Sequence, residues 1–328
     1  MQQFQTFAGI DISKLTLDIC LLKGDNKEHF TISNDIQTIK AFFNQLPDFA
    51  SGLYIGMENT GCYNYYLYQI LSELELPFYV IPPIHLKKSL GLSRGKNDKI
   101  DAFRIASFLE SNIKHLSIYK PQRTVILKLQ LLLTARSQRV KIKKQLTNGG
   151  EQYQYAPTEN IQGVLQLDSE LVAIIDQQIK AIEIQIQELI KNDEKLSACY
   201  KLISSVQGVG KILSWNLLVR TGEFNNISSP RKLACFAGVA PFDHRSGTSI
   251  RGKSKVSHFA DKSLKTLLHL AAISAIRLAG DLRDYYLRKV AEGKNKMSVI
   301  NAIRNKIIHR VYAVLKNQKT YQNYLVMS

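Results

Sequence analysis

The sequence predicts an α/β domain with a mixed sheet over residues 1–120, followed by a mainly helical remainder. The first part alternates short apolar runs with helical patterns, and its first three runs follow one another closely, as the strands of a meander do. From Thr124 onwards the apolar residues recur at helical spacing instead. With 45% hydrophobic residues among 328, the chain can bury packed cores, which excludes wholesale disorder.

The elements of the first part are bounded by turn residues and by changes of hydrophobic period. A tight turn at Ser13 and Lys14 joins the first two strands, Glu58 ends a short apolar strand, and Pro82-Pro83 stops another. The predicted elements are strands at 5–12, 16–22 and 28–33, a helix at about 35–46, a strand at 53–57, a helix at 63–74, a strand at 78–81 and a helix at 98–110.

Two long helices are predicted in the middle of the chain. The first is basic and amphipathic over Thr124–Gln145, with Ile126, Leu129, Leu133 and Val140 as its apolar stripe, and Gly149-Gly150 is expected to break it. The second covers about 165–196 and has a heptad seam. An intrachain hairpin and a self-associating coiled coil fit this pattern equally well. The seam consists of Val172, Ile175, Ile179, Ile182, Ile186 and Leu189.

The last part of the chain is expected to be mainly helical. Residues 202–222 have the pattern of a helix-hairpin-helix unit, with Gly208 and Gly210 in a tight turn whose N–H groups could hold a phosphate; an ordinary helix–helix turn is the alternative. Further helices are predicted at 264–278 and 301–315. The expected domains are 1–120, a helical hairpin or coiled-coil region at 121–198, and 199–328.

The net charge of +17 is concentrated in two basic blocks. Residues 87–145 carry +12 and residues 201–328 carry +16, whereas 1–86 carry −5 and 146–200 carry −6. A polyanion is the natural partner of such blocks, because neutralising phosphates releases counterions; a solubilising basic surface and an anionic membrane are weaker alternatives. No apolar run is long enough to span a bilayer, and the four cysteines are widely spaced, so we expect a cytoplasmic protein that acts at the nucleoid.

Four carboxylates lie where strand ends and one helix could bring them together. Asp11 and Glu58 each follow an apolar strand, and an acid there needs a partner that offsets its desolvation. Asp98 and Asp101 are three residues apart and share one helical face. This placement resembles the ribonuclease-H-like nuclease design, in which such acids hold Mg²⁺ or Mn²⁺ against a phosphate. For each acid alone, a surface carboxylate or a helix cap is the simpler interpretation.

A second candidate site is Ser246, at the centre of a Gly-, Pro- and Ser-rich segment at 238–268 that is expected to be a loop followed by a helix. Neighbouring cations could ease attack by the serine oxygen on phosphate, with Asp243 or His244 as a possible base. From the residues alone, a loop that grips phosphate without covalent chemistry is favoured. The cations predicted to bind nucleic acid here and elsewhere are Lys96, Lys99, Arg136, Arg139, Lys143, Lys144, Arg245, Arg251, Lys253 and Lys255.

Four motifs in order resemble one family along nearly the whole chain. The chain is similar to the DEDD transposases of the insertion sequence 110 family, which also includes the Piv-type invertases. One position departs from many relatives, since Asn97 stands where they have Thr, and it is not a ligand position. The motifs are GIDISK at 9–14, ENTGCY at 58–63, KNDKIDA at 96–102 and AGVAPFDHRSG at 237–247.

The resemblance implies a fold, an activity and partners that the residues alone do not. It implies an N-terminal ribonuclease-H-like domain of the RuvC type and a site-specific recombinase that excises and inserts its own element. Asp11, Glu58, Asp98 and Asp101 fall on the four acidic metal positions, and Ser246 falls on the proposed nucleophile. A structured noncoding RNA would guide the protein to donor and target DNA, and the composite site would form within a dimer or tetramer.

Two other functions are compatible with the same residues. A metal-dependent junction resolvase or nuclease would use the four acids and only a phosphate clamp at Ser246. A non-catalytic nucleic-acid-binding protein would keep the basic blocks with a degenerate metal site, although the presence of all four acids counts against it.

Overall fold

The structure is a computed structural model that describes residues 5–46, 52–59, 61–83, 85–86, 98–153, 161–240, 242–246, 250–255 and 260–322. At 150–153, 242–246 and 250–255 only the course of the backbone is described. The chain divides into two compact units, Met1–Pro121 and Gln122–Ser328.

The first unit is built on a five-stranded mixed sheet. The strand order is β3-β2-β1-β4-β5, where β1 is antiparallel to β2 and parallel to β4, and β4 is parallel to β5. Because β2 also runs antiparallel to β3, it is the one strand of this sheet with reversed direction. The predicted α/β class with a mixed sheet is therefore confirmed for this unit. The strands are β1 Thr6–Ile12, β2 Thr16–Lys23, β3 Asn26–Ser33, β4 Leu53–Glu58 and β5 Phe78–Ile81.

Helices cover both faces of this sheet. One face buries Ile10, Ile19 and Ile55 against α1 (Ile36–Gln45) and α2 (Tyr65–Glu73). The other face packs against α3 (Asp98–Asn112). Successive residues of a strand point to opposite faces, and here helices bury both faces. The strands of this sheet are therefore nearly continuous apolar runs in the sequence. The predicted elements of this part are all present, each within about three residues of its expected ends.

Two glycines allow α3 to lie unusually close to the sheet. Gly9 of β1 and Gly56 of β4 are direct neighbours in the parallel register. A Cβ atom on Gly9 would lie 2.2 Å from the carbonyl oxygen of Ala102 and 2.3 Å from the nitrogen of Ala106. A side chain at Gly9 is therefore incompatible with the observed position of α3.

The second unit begins with two paired helices, α4 (Thr124–Tyr153) and α5 (Gln162–Lys191). The predicted break at Gly149-Gly150 is wrong, because α4 continues through both glycines, whose cost of about 1 kcal/mol each a 30-residue helix tolerates. Val140 also departs from the predicted stripe and is 40% exposed. On α5 the predicted seam faces inward, with Ile175, Ile182 and Ile186 buried. The pair therefore forms an intrachain hairpin.

Helices α6 to α11 complete this unit around the fully buried Trp215. The helix predicted over 165–196 is interrupted, because the Asp193 side chain accepts a hydrogen bond from the Leu196 N–H and caps a new helix. Gly208 has φ +86°, and a Cβ there would lie 2.4 Å from the Ala271 carbonyl oxygen, so this turn serves close helix packing. The helices are α6 Glu194–Ser204, α7 Lys211–Thr221, α8 Pro230–Phe236, α9 Lys262–Arg277, α10 Asp281–Ala291 and α11 Lys296–Asn317.

Arg123 joins three segments of the second unit. Its guanidinium donates to Glu223 at 2.7 and 2.8 Å and to Asp193 at 2.9 and 3.0 Å. The Glu223 side chain is only 2% exposed. Asp193 lies 70 residues after Arg123, at the α5–α6 junction, and Glu223 lies 100 residues after it, in the turn after α7. One arginine therefore connects the start of α4 to both of these segments.

A two-stranded hairpin replaces much of the loop predicted at 238–268. Strand β6 (Phe242–Ser246) pairs antiparallel with β7 (Ile250–Lys255), and the register is irregular between Phe242 and His244. The prediction of a loop is thus wrong at these residues, because they pair as two antiparallel strands whose backbone groups hydrogen-bond to each other. Across the described residues of both units, no helix combines the length and apolar character that crossing a membrane requires.

Candidate active site

Strand pairing brings Asp11 and Glu58 side by side. Ile10 and Met57 are opposite one another in the parallel β1–β4 register, and the two acids follow them directly. Gly9 and Gly56 face α3, so Asp11 and Glu58, two residues further along each strand, face the same side. Neighbouring strands lie about 4.8 Å apart, so the two carboxyl groups meet at one edge of the sheet.

Helix α3 supplies the other two carboxylates at its N-terminal turn. Asp98 and Asp101 are its first and fourth residues, and both belong to its acidic first turn. The close approach of α3 at Gly9 fixes the helix against β1, and therefore holds this turn beside the strand ends.

The negative charges of the other three acids act on Asp11. The pKa of Asp11 is raised to about 6 by burial and then by the negative charges of Asp101, Asp98 and Glu58. The Ile12 N–H donates to the Asp11 carboxylate at 3.1 Å and opposes the rise only weakly. The structure thus places the other three sequence-predicted acids within electrostatic range of Asp11.

The donor set suits a hard divalent cation, since it consists of carboxylate oxygens alone. Throughout the described residues, however, no three Asp, Glu, His or Cys side chains already stand close enough together to enclose an ion. Binding would therefore draw the carboxylates inward. Burial and then the neighbouring negative charges raise the pKa of Asp11, and a bound cation would offset the repulsion among those charges.

One ion pair and one hydrogen bond near the acids were not apparent from the sequence. Arg104 donates to the Asp101 carboxylate at 2.7 Å, so this acid has a cationic partner one turn further along α3. Asp18 lies directly opposite Asp11 in the β1–β2 register, is 8% exposed, and accepts a hydrogen bond from the Thr31 hydroxyl at 2.7 Å. Strand register alone could have revealed the placement of Asp18.

The basic residues predicted to bind nucleic acid divide into three groups. Arg136 donates to Glu183 at 2.8 Å, Arg139 to Gln178 at 2.8 Å and Lys143 to Asp176 at 2.6 Å, so these three join α4 to α5. Lys99 and Lys144 are exposed, whereas Lys96 lies outside the described residues. The third group, Arg245, Arg251, Lys253 and Lys255, lies on β6 and β7, where Arg245 is the cross-strand partner of Arg251.

Ser246 is the last residue of β6 and pairs with Ile250. It belongs to the second unit, whereas the four acids belong to the first. The structure therefore assigns the two predicted reactive groups to separate units of the chain.

Comparison with protein families decides the identity of the chain. A family model described as "Transposase", of the IS110 DEDD type, matches residues 8–152, and one described as "Transposase IS116/IS110/IS902 family" matches residues 200–287. The chain belongs to the IS110 family of transposases. It is accordingly a DNA-acting enzyme that performs phosphoryl transfer, and the four acids lie within the first matched region.

Relatives of this transposase align over most of its length. It is 26% identical to a pilin gene-inverting protein of Moraxella bovis over 97% of this chain and 98% of that protein. It is 23% identical to a probable family 20 transposase of Pseudomonas aeruginosa over 96% and 98% of the two chains. Among solved structures, Thermus thermophilus RuvC in complex with a Holliday junction substrate is similar at 12% identity and a TM-score of 0.28, covering 35% of this chain and 99% of that chain.

Proposed function

We propose that this transposase is a site-specific recombinase that excises and inserts its own element through a covalent bond between Ser246 and DNA. Asp11, Glu58, Asp98 and Asp101 would hold Mg²⁺ or Mn²⁺, which would polarise the scissile phosphate and stabilise the leaving oxygen. The observation that carries the proposal is the placement of Asp11 and Glu58 at the ends of two paired strands beside the acidic first turn of α3, whose charges add to the raised pKa of Asp11.

The chemical step conserves the energy of the phosphodiester bond. The Ser246 oxygen loses its proton and attacks phosphorus, so that a 5′-phosphoserine bond forms and the 3′-oxygen of the neighbouring nucleotide leaves as a hydroxyl. A 3′-hydroxyl of another strand then attacks the phosphoserine, restores a phosphodiester and returns the proton to the serine. No bond is lost to water, which suits strand exchange better than cleavage.

Nucleic acid would contact two basic surfaces of the second unit. The β6–β7 hairpin, with four of the predicted cations on its strands, would grip DNA phosphates near Ser246. On α4, Lys128, Lys141 and Lys144 remain exposed after the pairing with α5, and they would hold a structured guide RNA. Base pairing by that RNA to donor and target DNA would supply sequence specificity.

A second copy of the chain would assemble on α5. Besides its inward seam, α5 has a second apolar row whose residues are three and four positions apart, the spacing of a coiled-coil seam. This row is 40–66% exposed and would pair in a dimer or tetramer. It consists of Val164, Leu167, Leu171 and Ile174.

The decisive experiment traps the covalent intermediate. Protein is incubated with RNA from the element's flanks, donor DNA and Mg²⁺ or Mn²⁺, and the peptide carrying DNA is identified by denaturing gel and mass spectrometry. We expect an adduct on Ser246 that Ser246→Ala and Asp11→Asn each abolish. Ser254→Ala on β7 and Asp25→Asn in the β2–β3 turn are the matched controls, and they should leave the adduct intact.

The rival functions predict different products. A metal-dependent junction resolvase would give free DNA ends in equal amount with Ser246→Ala. A non-catalytic binding protein would retain DNA and cleave nothing in any metal, with Asp11→Asn indistinguishable from wild type. Either result would overturn the covalent mechanism.

A further inference from the structure

Two tyrosines expose their rings immediately beyond the strand that ends in Glu58. Tyr63 lies in the short 3₁₀ turn Cys62–Asn64 and is 42% exposed, and Tyr66 lies in the first turn of α2 and is 50% exposed. Because they are three residues apart on a helical path, the two rings share one face. Among the described residues, neither ring stacks on another ring or carries a hydrogen bond.

Two side-chain amides attach the backbone of this segment to the ends of the strands that carry Asp11 and Glu58. Asn64, which is fully buried, donates its side-chain amide to the Glu58 carbonyl oxygen at 2.9 Å. Asn34 donates to the carbonyl oxygen of Tyr63 at 3.1 Å and to that of Ser13, in the turn after Asp11, at 2.9 Å. The backbone of the tyrosine segment is therefore held directly beside the ends of β1 and β4.

The neighbouring aromatic residues show that core packing does not require these two rings. The interior of the unit is filled by Tyr68, Phe78 and Tyr119, whose ring centroids are 4.9–5.4 Å apart. Tyr65 lies towards this cluster, since its charge contributes to the raised pKa of Tyr119. Tyr63 and Tyr66 instead place flat apolar surface in solvent, on a segment whose backbone is tied to the ends of β1 and β4.

The negative charge of the acids determines whether the phosphates or the bases of a nucleic acid can lie on the two tyrosine rings. Four carboxylates repel a phosphate backbone wherever no metal intervenes, so an approaching strand can turn only its uncharged bases towards the adjacent surface. Every base has a π-face that stacks on an aromatic ring whatever its sequence. Paired bases within a duplex are already stacked on their neighbours, so the matching ligand is a locally unpaired strand.

We propose that Tyr63 and Tyr66 form a stacking platform for unpaired DNA bases that flank the phosphate held at the carboxylates. The inference rests on the proposed function for the location of that phosphate. The platform would hold the strand in place through its bases, without reading their sequence, while Asp11 and Glu58 act on the backbone.

The test measures how the full-length protein binds a short single-stranded DNA carrying 2-aminopurine, in EDTA so that no cleavage occurs. The double variant Tyr63→Leu/Tyr66→Leu should weaken binding about tenfold or more, because stacking contributes that much per base, and should abolish quenching of the 2-aminopurine. The slope of log Kd against log salt should not change, because no cation is removed. Tyr63→Phe/Tyr66→Phe keeps both rings and should bind as wild type does.

A second measurement avoids substitution. Photo-crosslinking of bromodeoxyuridine-substituted single strands to wild-type protein should label the peptide containing residues 61–66. Unchanged affinity and quenching in a folded leucine variant, or crosslinks that avoid this peptide, would overturn the platform. Failure of the proposed function shows itself separately, since an absent Ser246 adduct with intact tyrosine-dependent quenching would refute the covalent chemistry alone.

Discussion

Replacement of Arg123 by methionine provides a sharp test of what holds the second unit together. The substitution keeps an unbranched chain of similar length and removes all four hydrogen bonds to Asp193 and Glu223. The Asp193 side chain is 23% exposed and can be hydrated, but the Glu223 side chain is 2% exposed and is left as a buried unpaired charge. We expect a loss of about 3–5 kcal/mol in the free energy of unfolding.

The pH dependence should separate loss of the ion pair from general damage. In wild type, hydrogen bonds from Arg123 lower the pKa of Asp193, so its contribution to stability is present at neutral pH and is lost as the pH falls through that lowered pKa. Arg123→Met leaves the buried charge of Glu223 without its partner and removes the largest cause of the lowered Asp193 pKa, so less stability should be lost on acidification than in wild type. Arg123→Met/Glu223→Gln removes that charge and should be more stable than Arg123→Met at neutral pH.

The assay follows urea unfolding by the fluorescence of Trp215, which is the single tryptophan of the chain, is fully buried and lies on α7 of the same unit. At a typical m-value, Arg123→Met should move the midpoint about 1.5 M lower in urea. A midpoint within about 0.3 M of wild type, or an equal loss of stability on acidification in both proteins, would refute the reasoning.

Three further predictions concern the site and its assembly. The pKa of Asp11 is raised to about 6, so without divalent metal the folded chain keeps a proton that the unfolded chain releases. The hydrogen-exchange protection of β1 should therefore fall by about 1 kcal/mol as the pH rises from 5 to 7.5. Asp11→Asn should abolish that fall. Gly9→Ala should destabilise the first unit by about 3 kcal/mol or more in hydrogen exchange and abolish DNA cleavage, whereas Gly149→Ala on α4, which meets no atom within 4 Å, should be neutral or slightly stabilising. Leu167→Glu/Ile174→Glu should reduce the mass measured by light scattering to that of one chain while helix content by circular dichroism stays unchanged, and an unaltered oligomer would exclude this face of α5.

The strand ends of the first unit could be predicted because their signals are local. Asp11 and Glu58 interrupt apolar runs, and the i, i+3 spacing of Asp98 and Asp101 defines a shared face without reference to any other segment. Capping is equally local, and Asp193, which caps a new helix and so ends the predicted second long helix early, is a signal of this kind.

The packing of α3 could not be predicted in this way. A glycine in a strand has many explanations, and only the approach of Ala102 and Ala106 to within 2.3 Å of a Cβ on Gly9 shows why this position excludes side chains. The raised pKa of Asp11 depends on the same contact, because it requires charges from a helix about 90 residues away in sequence.

By itself, then, the sequence determined the order of strands and helices in the first unit, the four acids and the basic character of the second unit, since hydrophobic period, strand ends and charge are properties of short segments. Only the tertiary structure decided which charged side chains form ion pairs within the fold. It paired Arg136 and Lys143 with acids of α5, and Arg123 with Asp193 and Glu223. The physical reason is that an ion pair depends on distance in space, and no local pattern specifies which of many distant carboxylates the fold brings within 3 Å of a given cation.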